Sequence, residues 1–529
     1  MTLPRLLRSE GWTGRFLGLA FGAVAVLGHA PFHLWPLTLI SLAFLFGRIQ
    51  AAATIELSRR AAFSVGFWWA LGYFAAGIYW IGAAFIERGP AFIPLMPFMV
   101  GGLACLLAVF WGVAGAYLVR SRFSGFAAVL SFMAAFTLAE LARGHLFGGL
   151  PWNLPAYIFE AGSAPSQMAR WVNAYGLSAI VLLVSAALGQ VIFWRKGIWP
   201  ILLATLPMIG LYLIGYVRLS GATVETVPDV KIRIVSVPFK QSEKLNPSTS
   251  VEIVNAFIRE SVAPGIEDIT HLVWPEGAVN GLALENEALL RAVGQSLVSV
   301  DDTPPVWLMN SLVAQMDDGR LRYYNASVAI TFDAVGNPTI AATNLKQKLV
   351  PFGEHIPFMD WMEDVQVPLI STNLASISPA KEKNLANFPG LPRLSPQICY
   401  EIIFPGFTPV RSGEPPQLIL NQSNDAWFGR RVGPAQHANI ARYRAIESGL
   451  PIIRAASNGV SGVIDSYGRI QKNINSHEAF YLDKTLGRHL KYNTKTRIVT
   501  FLLVLINLLA CFIMRFMKRN FSKQFKTTA

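Results

Sequence analysis

The sequence contains few cysteines and few charged residues. Only 3 of its 529 residues are Cys, and Asp, Glu, Lys and Arg together make up 15%. Cys105 and Cys511 lie inside apolar runs, which leaves Cys399 as the lone thiol of the polar part. This distribution excludes a disulfide framework. The retention of one unpaired thiol in a polar region therefore calls for a chemical reason.

Two further absences narrow the class of function. The net charge is +13, but the basic residues do not form a stripe interleaved with aromatic residues, so no nucleic-acid partner is expected. The chain also lacks the residue spacing of a metal site and the glycine loop of a phosphate site. We therefore expect no cofactor.

Long apolar runs are abundant, since 53% of the residues are hydrophobic. Seven runs near the length needed to cross a bilayer precede the polar region, and an eighth follows it. They lie at 16–29, 34–49, 61–85, 92–119, 126–141, 175–194, 198–219 and 498–516. The sequence therefore predicts an integral membrane protein with a bundle of eight transmembrane helices.

Every second junction between these runs is basic. Arginines or lysines follow runs two, four, six and eight, for example at Arg59, Arg120 and Arg195. By the positive-inside rule, those junctions and both termini are cytoplasmic. The polar region then faces outward, which in a bacterium is the periplasmic side of the inner membrane. We expect three parts: seven transmembrane helices in 1–219, a periplasmic catalytic domain in 220–493, and the eighth helix with a basic tail in 494–529.

The polar region changes its periodicity. Residues 230–235 alternate between apolar and polar as a half-exposed strand does, and residues 248–262 have the pattern of an amphipathic helix. Strand-like and helix-like segments then continue to alternate. This order is typical of a layered α/β domain.

Cys399 ends an apolar, β-branched run and is followed at once by Tyr400 and Glu401. That order is typical of a strand-to-helix turn that presents a nucleophile. The alternative is an inert, buried cysteine. Glu276, after Trp-Pro, could accept the proton of a thiol, and a lysine at 346 or 348 could favour its ionisation. The three residue types together indicate a nucleophilic site.

The chemistry-bearing motifs occur in a recognisable order. Trp-Pro-Glu at 274–276, a lysine before Leu-Val-Pro-Phe-Gly-Glu at 349–354, Cys-Tyr-Glu at 399–401 and Ser-Asn-Asp-Ala-Trp-Phe-Gly at 423–429 follow one another. This order resembles the carbon–nitrogen hydrolase (nitrilase) superfamily, and more closely its membrane branch, the apolipoprotein N-acyltransferases. The resemblance implies a nitrilase-like α-β-β-α sandwich carried on eight transmembrane helices.

The resemblance also implies roles for individual residues. Glu276 would be the general base, Cys399 the nucleophile and Lys346 the stabiliser of the oxyanion. Lys346 is preferred over Lys348 because the family's lysine lies eight residues before the Glu of Pro-Phe-Gly-Glu. The supporting residues would be Glu354, Tyr400 through its backbone N–H, and Glu401. Candidate substrate or lid contacts are Trp152, Phe358, Met359, Trp361, Met362, Asn424 and Trp427.

The implied reaction is ping-pong acyl transfer. An acyl chain would pass from a phospholipid to Cys399 as a thioester, and then to the α-amino group of the N-terminal diacylglyceryl-cysteine of an apolipoprotein. The expected partners are therefore the phospholipid donor, the diacylated acceptor and the lipids of the membrane.

Two departures from the family pattern bear on substrate contacts. Leu245 stands where the family has Trp, and Gly277 replaces a common Ser. They leave open a divergent paralogue with another amine acceptor or acyl donor. Two other readings also remain: a membrane-tethered amidase that uses water, and a lipid-handling transporter whose nitrilase-like domain is inactive.

Overall fold

The computed structural model describes residues 7, 11–55, 58–194, 197–244, 246–300, 302–317, 319–351, 353–354, 377–381, 385–408, 414–430, 432–474 and 481–490. The chain divides into two compact units. The first contains the described residues of Met1–Gly82 and Pro94–Gly221, and the second those of Ala83–Ile93 and Ala222–Tyr492.

The first unit is built from helices. Seven helical stretches in the described residues are long and apolar enough to cross a membrane. The eighth predicted span, 498–516, lies outside the described residues. The main helices are α1 (Gly11–Ala25), α2 (Trp35–Thr54), α3 (Arg59–Ile78), α5 (Met96–Ser121), α6 (Gly125–His145), α7 (Ala169–Trp194) and α8 (Trp199–Ser220). The chain is thus a multi-pass membrane protein.

A buried ion pair lies inside this helical unit. Glu140 and Arg143, one turn apart on α6, contact each other with both side chains fully buried. The Trp111 indole N–H also donates to Glu140 at 2.6 Å, and Trp111 stacks on Trp69 with ring centroids 4.9 Å apart. Ionisable groups at membrane depth require partners. Arg143 and Trp111 are the partners of the Glu140 carboxylate.

The second unit contains two β-sheets. The first has the strand order β11-β1-β2-β3-β4-β5 and the second the order β10-β9-β8-β7-β6. The strands are β1 (Thr226–Val235), β2 (His271–Val273), β3 (Val306–Asp317), β4 (Arg320–Phe332), β5 (Pro338–Leu345), β6 (Leu394–Ile398), β7 (Leu418–Asn424), β8 (Ile452–Ser457), β9 (Ser461–Ile464), β10 (Ile470–Ile474) and β11 (Tyr481–Gly487).

The sheets pack face to face with helices outside them. Apolar side chains of β1 and β3, such as Ile232 and Leu308, share a buried cluster with Leu420 of β7 and Ile453 of β8. The other face of the first sheet packs against helices, with Trp274 among the buried residues. The helices of this unit are α4 (Ala83–Arg88), α9 (Gln241–Lys244), α10 (Pro247–Ser261), α11 (Glu287–Val298) and α12 (Val432–Ser448). The predicted fold class, a bundle of transmembrane helices plus an α-β-β-α sandwich, is confirmed, with seven of the eight predicted helices among the described residues.

One ion pair joins the two strands at the edge of the first sheet. Arg233 of β1 lies opposite Asp483 of β11, with its side chain fully buried. Its guanidinium donates to both carboxylate oxygens of Asp483, at 2.8 and 2.7 Å. It also donates to the backbone carbonyls of Ser261, Ala263 and Pro264. This single side chain therefore ties β1 to β11 and to the loop after α10.

Replacing Arg233 by methionine is expected to destabilise the second unit. The substitution leaves the Asp483 carboxylate and three backbone carbonyls without their donor. We expect it to lower the free energy of unfolding by about 3 kcal/mol. Thermal unfolding of the detergent-solubilised chain, followed by tryptophan fluorescence, measures it. Arg259→Met is the control, because the Arg259 side chain is 69% exposed. Equal transition temperatures for the two variants would contradict the assigned role.

Candidate active site

Cys399 lies at the carboxyl end of β6, an edge strand that pairs in parallel with β7. Pro396 fits within this strand because an edge position does not need every backbone N–H. The chain then turns into a short 3₁₀ helix, Cys399–Ile403. Cys399 has a φ of +48°, which is uncommon for a residue with a side chain and is typical of functional sites. The turn therefore fixes the position of the thiol.

Glu401 holds this turn in place. Its buried carboxylate accepts backbone N–H groups from Ile398 at 2.7 Å, Gln347 at 2.7 Å and Lys348 at 3.0 Å. Burial raises the pKa of Glu401 to about 7, against the opposing effects of Lys346 and these three N–H groups. The side chain thus joins the cysteine turn to the segment that carries Lys346.

Glu276 follows β2, where the backbone leaves the sheet at Pro275. The Asn325 side chain, on β4, donates to Glu276 Oε1 at 2.8 Å. The backbone N–H of Asn424, at the end of β7, donates to Oε2 at 2.9 Å. Glu276 is only 9% exposed. Both oxygens of this carboxylate are therefore oriented by donors from different strands.

Lys346 directly follows β5 and is 1% exposed. Its Nζ lies 2.7 Å from Glu354 Oε1 and 3.8 Å from Glu276 Oε1. Glu354 is itself held by the Val350 backbone N–H, which donates to Oε2 at 2.9 Å. One buried ammonium thus connects the two carboxylates that sequence motifs placed 78 residues apart.

Burial and the neighbouring charges set the pKa values of Lys346 and Cys399. Burial alone would lower the pKa of Lys346, but Glu354, Glu276 and Cys399 raise it above the ordinary lysine value. Burial and then Glu276 raise the pKa of Cys399, while Lys346 opposes them. At neutral pH the site therefore holds an ammonium and a protonated thiol, and forming the thiolate requires a base.

A second polar network lies behind the cysteine. The Ser423 hydroxyl lowers the pKa of the Cys399 thiol against the effect of burial, and it donates to Asp425 Oδ1 at 2.6 Å. Arg454 donates to Asp425 Oδ2 at 2.7 Å, and His437 Nδ1 lies 2.9 Å from Oδ1. Burial would raise the pKa of Asp425, but Arg454 and His437 lower it to about 2. The ionised Asp425 thus anchors the side chains behind Cys399.

The other predicted site residues fall into four groups. Tyr400 is buried next to Cys399, with its ring edge-on to Phe404 at 5.0 Å. Asn424 is buried next to Glu276, and Trp427 is half-buried with the Arg88 guanidinium 6.0 Å from its ring. Trp152 is buried in the helical unit against Trp80. The proposed lid residues Phe358, Met359, Trp361 and Met362 lie outside the described residues.

Sequence reasoning missed several residues of this site. Asn325 orients Glu276 and itself accepts from Asn310 Nδ2 at 2.6 Å. Two asparagines facing each other within apolar strands are an unusual pattern that could have drawn attention to them. Lys244 is buried near Glu276, but the polar residues before it, Ser242 and Glu243, gave no signal of burial.

The described geometry can be compared with known proteins. Residues 21–187 match the family described as apolipoprotein N-acyltransferase N-terminal domain, and residues 272–479 match carbon–nitrogen hydrolase. An apolipoprotein N-acyltransferase of Caulobacter vibrioides is 34% identical over 88% of this chain and 86% of its own length. Those of Rhodopseudomonas palustris and Pseudomonas paraeruginosa are 31% and 32% identical, and cover 88% and 89% of this chain and of their own lengths.

Solved structures also align with part of the chain. An amidase from a Nesterenkonia species covers 50% of this chain and 93% of its own, with 15% identity and a TM-score of 0.31. A carbon–nitrogen hydrolase from Helicobacter pylori covers 48% of this chain and 88% of its own, with 14% identity and a TM-score of 0.31.

Proposed function

The chain belongs to the apolipoprotein N-acyltransferase family, and from this we propose that it moves a fatty acyl chain from a phospholipid to the N-terminal diacylglyceryl-cysteine of apolipoproteins. The observation that carries the proposal is the convergence of three buried groups. Lys346 Nζ lies within 3.8 Å of Glu276, and both residues act electrostatically on the Cys399 thiol. These are the parts needed for covalent acyl transfer.

The first half-reaction loads the enzyme. Glu276 takes the proton of the Cys399 thiol as sulfur attacks the ester carbonyl of the phospholipid. The Lys346 ammonium, held by Glu354, faces the oxyanion of the tetrahedral intermediate, with the Tyr400 backbone N–H as the second donor. Collapse breaks the ester C–O bond, and Glu276 returns the proton to the leaving alkoxide. The products are a thioester and a lysophospholipid.

The second half-reaction transfers the acyl group from Cys399 to the acceptor. The neutral α-amino group of the acceptor attacks the thioester and gives a proton to Glu276. Expulsion of sulfur forms the amide, and the thiolate regains the proton from Glu276. Because the first product leaves before the second substrate reacts, the kinetic scheme is ping-pong.

The topology proposed from the basic junctions places this chemistry on the periplasmic side of the inner membrane. Both termini would then be cytoplasmic, with residues 220–493 as the catalytic domain and 494–529 as the eighth helix and tail. Both proposed substrates are lipids of the outer leaflet, so an outward-facing catalytic domain on membrane spans meets them there. Trp152, Trp427 and the 358–362 segment, which lies outside the described residues, are proposed to contact them.

Intact-mass measurement tests the proposal in two steps. The protein incubated with phospholipid vesicles should gain the mass of one acyl chain, and hydroxylamine should remove it, as expected for a thioester. Adding a synthetic diacylated lipopeptide should then discharge the adduct, with the acyl chain recovered on the peptide's amine.

Each alternative predicts a different result. A water-using amidase would lose the adduct without added amine, and an inactive, lipid-handling domain would acquire no covalent adduct. A stable adduct that this lipopeptide fails to discharge would indicate another acceptor. Any of these three results would contradict the proposed function.

A further inference from the structure

A buried lysine outside the proposed catalytic triad lies near Glu276. Lys244 ends the short helix α9 and is only 6% exposed. Burial lowers the pKa of Lys244 to about 8, and the charge of Glu276 opposes this effect. Within the described ranges, no carboxylate lies close enough to form an ion pair with Lys244. A buried cation without such a pair is costly for stability, and the Phe239 ring, whose centroid lies 5.8 Å from Lys244 Nζ, offsets only part of that cost.

Asn424 adds a second polar group. Its backbone N–H already donates to Glu276, and its side-chain Nδ2 donates to Gln241 Oε1 at 3.2 Å. Its Oδ1 is shielded from solvent and has no hydrogen-bond partner among the described residues. Leaving a buried acceptor unpaired costs about 1–3 kcal/mol. An N–H or O–H of a bound substrate would satisfy it.

Gly277 makes room for both side chains. It has a φ of +84°, in the region that favours glycine. A Cβ atom on this residue would lie 2.7 Å from Asn424 Nδ2 and 2.9 Å from Lys244 Nζ. Any side chain at position 277 would therefore displace the Lys244 ammonium or the Asn424 amide from its present position.

We propose that Lys244 and Asn424 form the subsite that receives the acceptor's α-amino group beside Glu276. The inference rests on the proposed function and names the residues that act on the second substrate. Asn424 Oδ1 accepts one N–H of the amine, while a second N–H faces the Glu276 carboxylate. The Lys244 charge disfavours a second ammonium at this place, so that the acceptor binds as the neutral nucleophile.

In this subsite the bonds that form and break in the second half-reaction, and the proton that moves, are all accounted for by the amine, Glu276 and Cys399. The amine nitrogen forms a bond to the acyl carbon, and the C–S bond to Cys399 breaks. The proton leaves nitrogen for Glu276 and passes from there to sulfur. Lys244 is coupled electrostatically to Glu276. The titratable groups coupled to Lys346 or Cys399, besides these two residues themselves, are Glu276, Glu354, Tyr400, Glu401 and Asp425.

Asn424 Oδ1 distinguishes between two candidate ligands for the site beside Lys244, a phosphodiester and an amine. The phosphodiester of the phospholipid donor would also pair with an ammonium. However, a phosphodiester has only acceptors and would leave Asn424 Oδ1 unsatisfied. An amine brings N–H donors, so it satisfies Asn424 Oδ1, which a phosphodiester would leave unpaired.

The experiment measures the two half-reactions separately in the full-length protein. Lys244→Met removes the charge and keeps a long side chain, while Lys244→Arg retains the charge. Asn424→Leu removes the acceptor atom. Lys240→Met is the matched control, because Lys240 lies just before the same helix with a 62% exposed side chain. Each variant is loaded from phospholipid vesicles and then chased with the diacylated lipopeptide between pH 6 and 9.

Lys244→Met and Asn424→Leu should slow discharge far more than they slow loading. For Lys244→Met we expect the discharge rate at pH 7 to fall roughly 10-fold. The midpoint of the pH profile of discharge should move about one unit to the alkaline side, because the acceptor's ammonium loses its proton less readily without the nearby charge. Lys244→Arg should restore much of the rate, and Lys240→Met should match the wild type.

Loading also demonstrates that each variant is folded. Slow loading of Lys244→Met with normal discharge would assign the lysine to the phospholipid's phosphate and overturn the inference. Unchanged discharge in both Lys244→Met and Asn424→Leu would overturn it as well, with the proposed function intact. Failure of the wild type itself to load would overturn the proposed function and the inference together.

Discussion

Cys399→Ala is expected to abolish the acyl adduct and all transfer to the lipopeptide. Sulfur forms the covalent bond in the proposed scheme, and among the described residues the two polar neighbours of Cys399 cannot replace it. Glu354 and Glu276 keep Lys346 protonated, and the Ser423 hydroxyl donates a hydrogen bond to Asp425. Intact mass after incubation with phospholipid should therefore remain that of the unmodified variant.

The chain offers a matched control for this experiment. Cys105 is an exposed cysteine on helix α5 of the other unit, and Cys105→Ala should load and discharge as the wild type does. An adduct of unchanged size on Cys399→Ala would mean that another residue is the nucleophile. Loss of the adduct in Cys105→Ala as well would point to a general effect of removing a thiol.

Motif order was enough to locate the centre of the candidate site. Glu276, Lys346 and Cys399 each follow a strand, and the ends of strands are where such sheets carry their functional side chains. The resemblance selected Lys346 rather than Lys348. In the structure Lys346 contacts both Glu354 and Glu276, whereas the Lys348 ammonium lies 4.3 Å from the Phe404 ring.

Other features depend on contacts between distant parts of the chain. Glu401 accepts a hydrogen bond from a residue 54 positions earlier, and Asn325 donates to Glu276 from another strand of the sheet. Strand β5 was not predicted because it is a mostly exposed edge strand without a clear apolar face. Lys244 resembles a surface lysine until the fold buries it.

Glu276→Gln is expected to slow loading by about 10² to 10⁴, the usual contribution of a general base. The remaining reaction would depend on spontaneous ionisation of the thiol. Burial still raises the Cys399 pKa in this variant, although loss of the Glu276 charge removes one of the effects that raise it. The thiolate fraction, and with it the loading rate, should then rise about 10-fold per pH unit below that pKa.

The pH dependence separates a lost base from a distorted site. An amide at position 276 has one acceptor oxygen for the two donors, Asn325 Nδ2 and the Asn424 backbone N–H, so some stability is lost in any case. Distortion alone would lower the rate at every pH without steepening its slope. Glu285→Gln, a change at an exposed carboxylate of the same unit, is the control. A Glu276→Gln profile parallel to that of the wild type would remove Glu276 from the role of base, and the origin of the thiolate would have to be sought in another group.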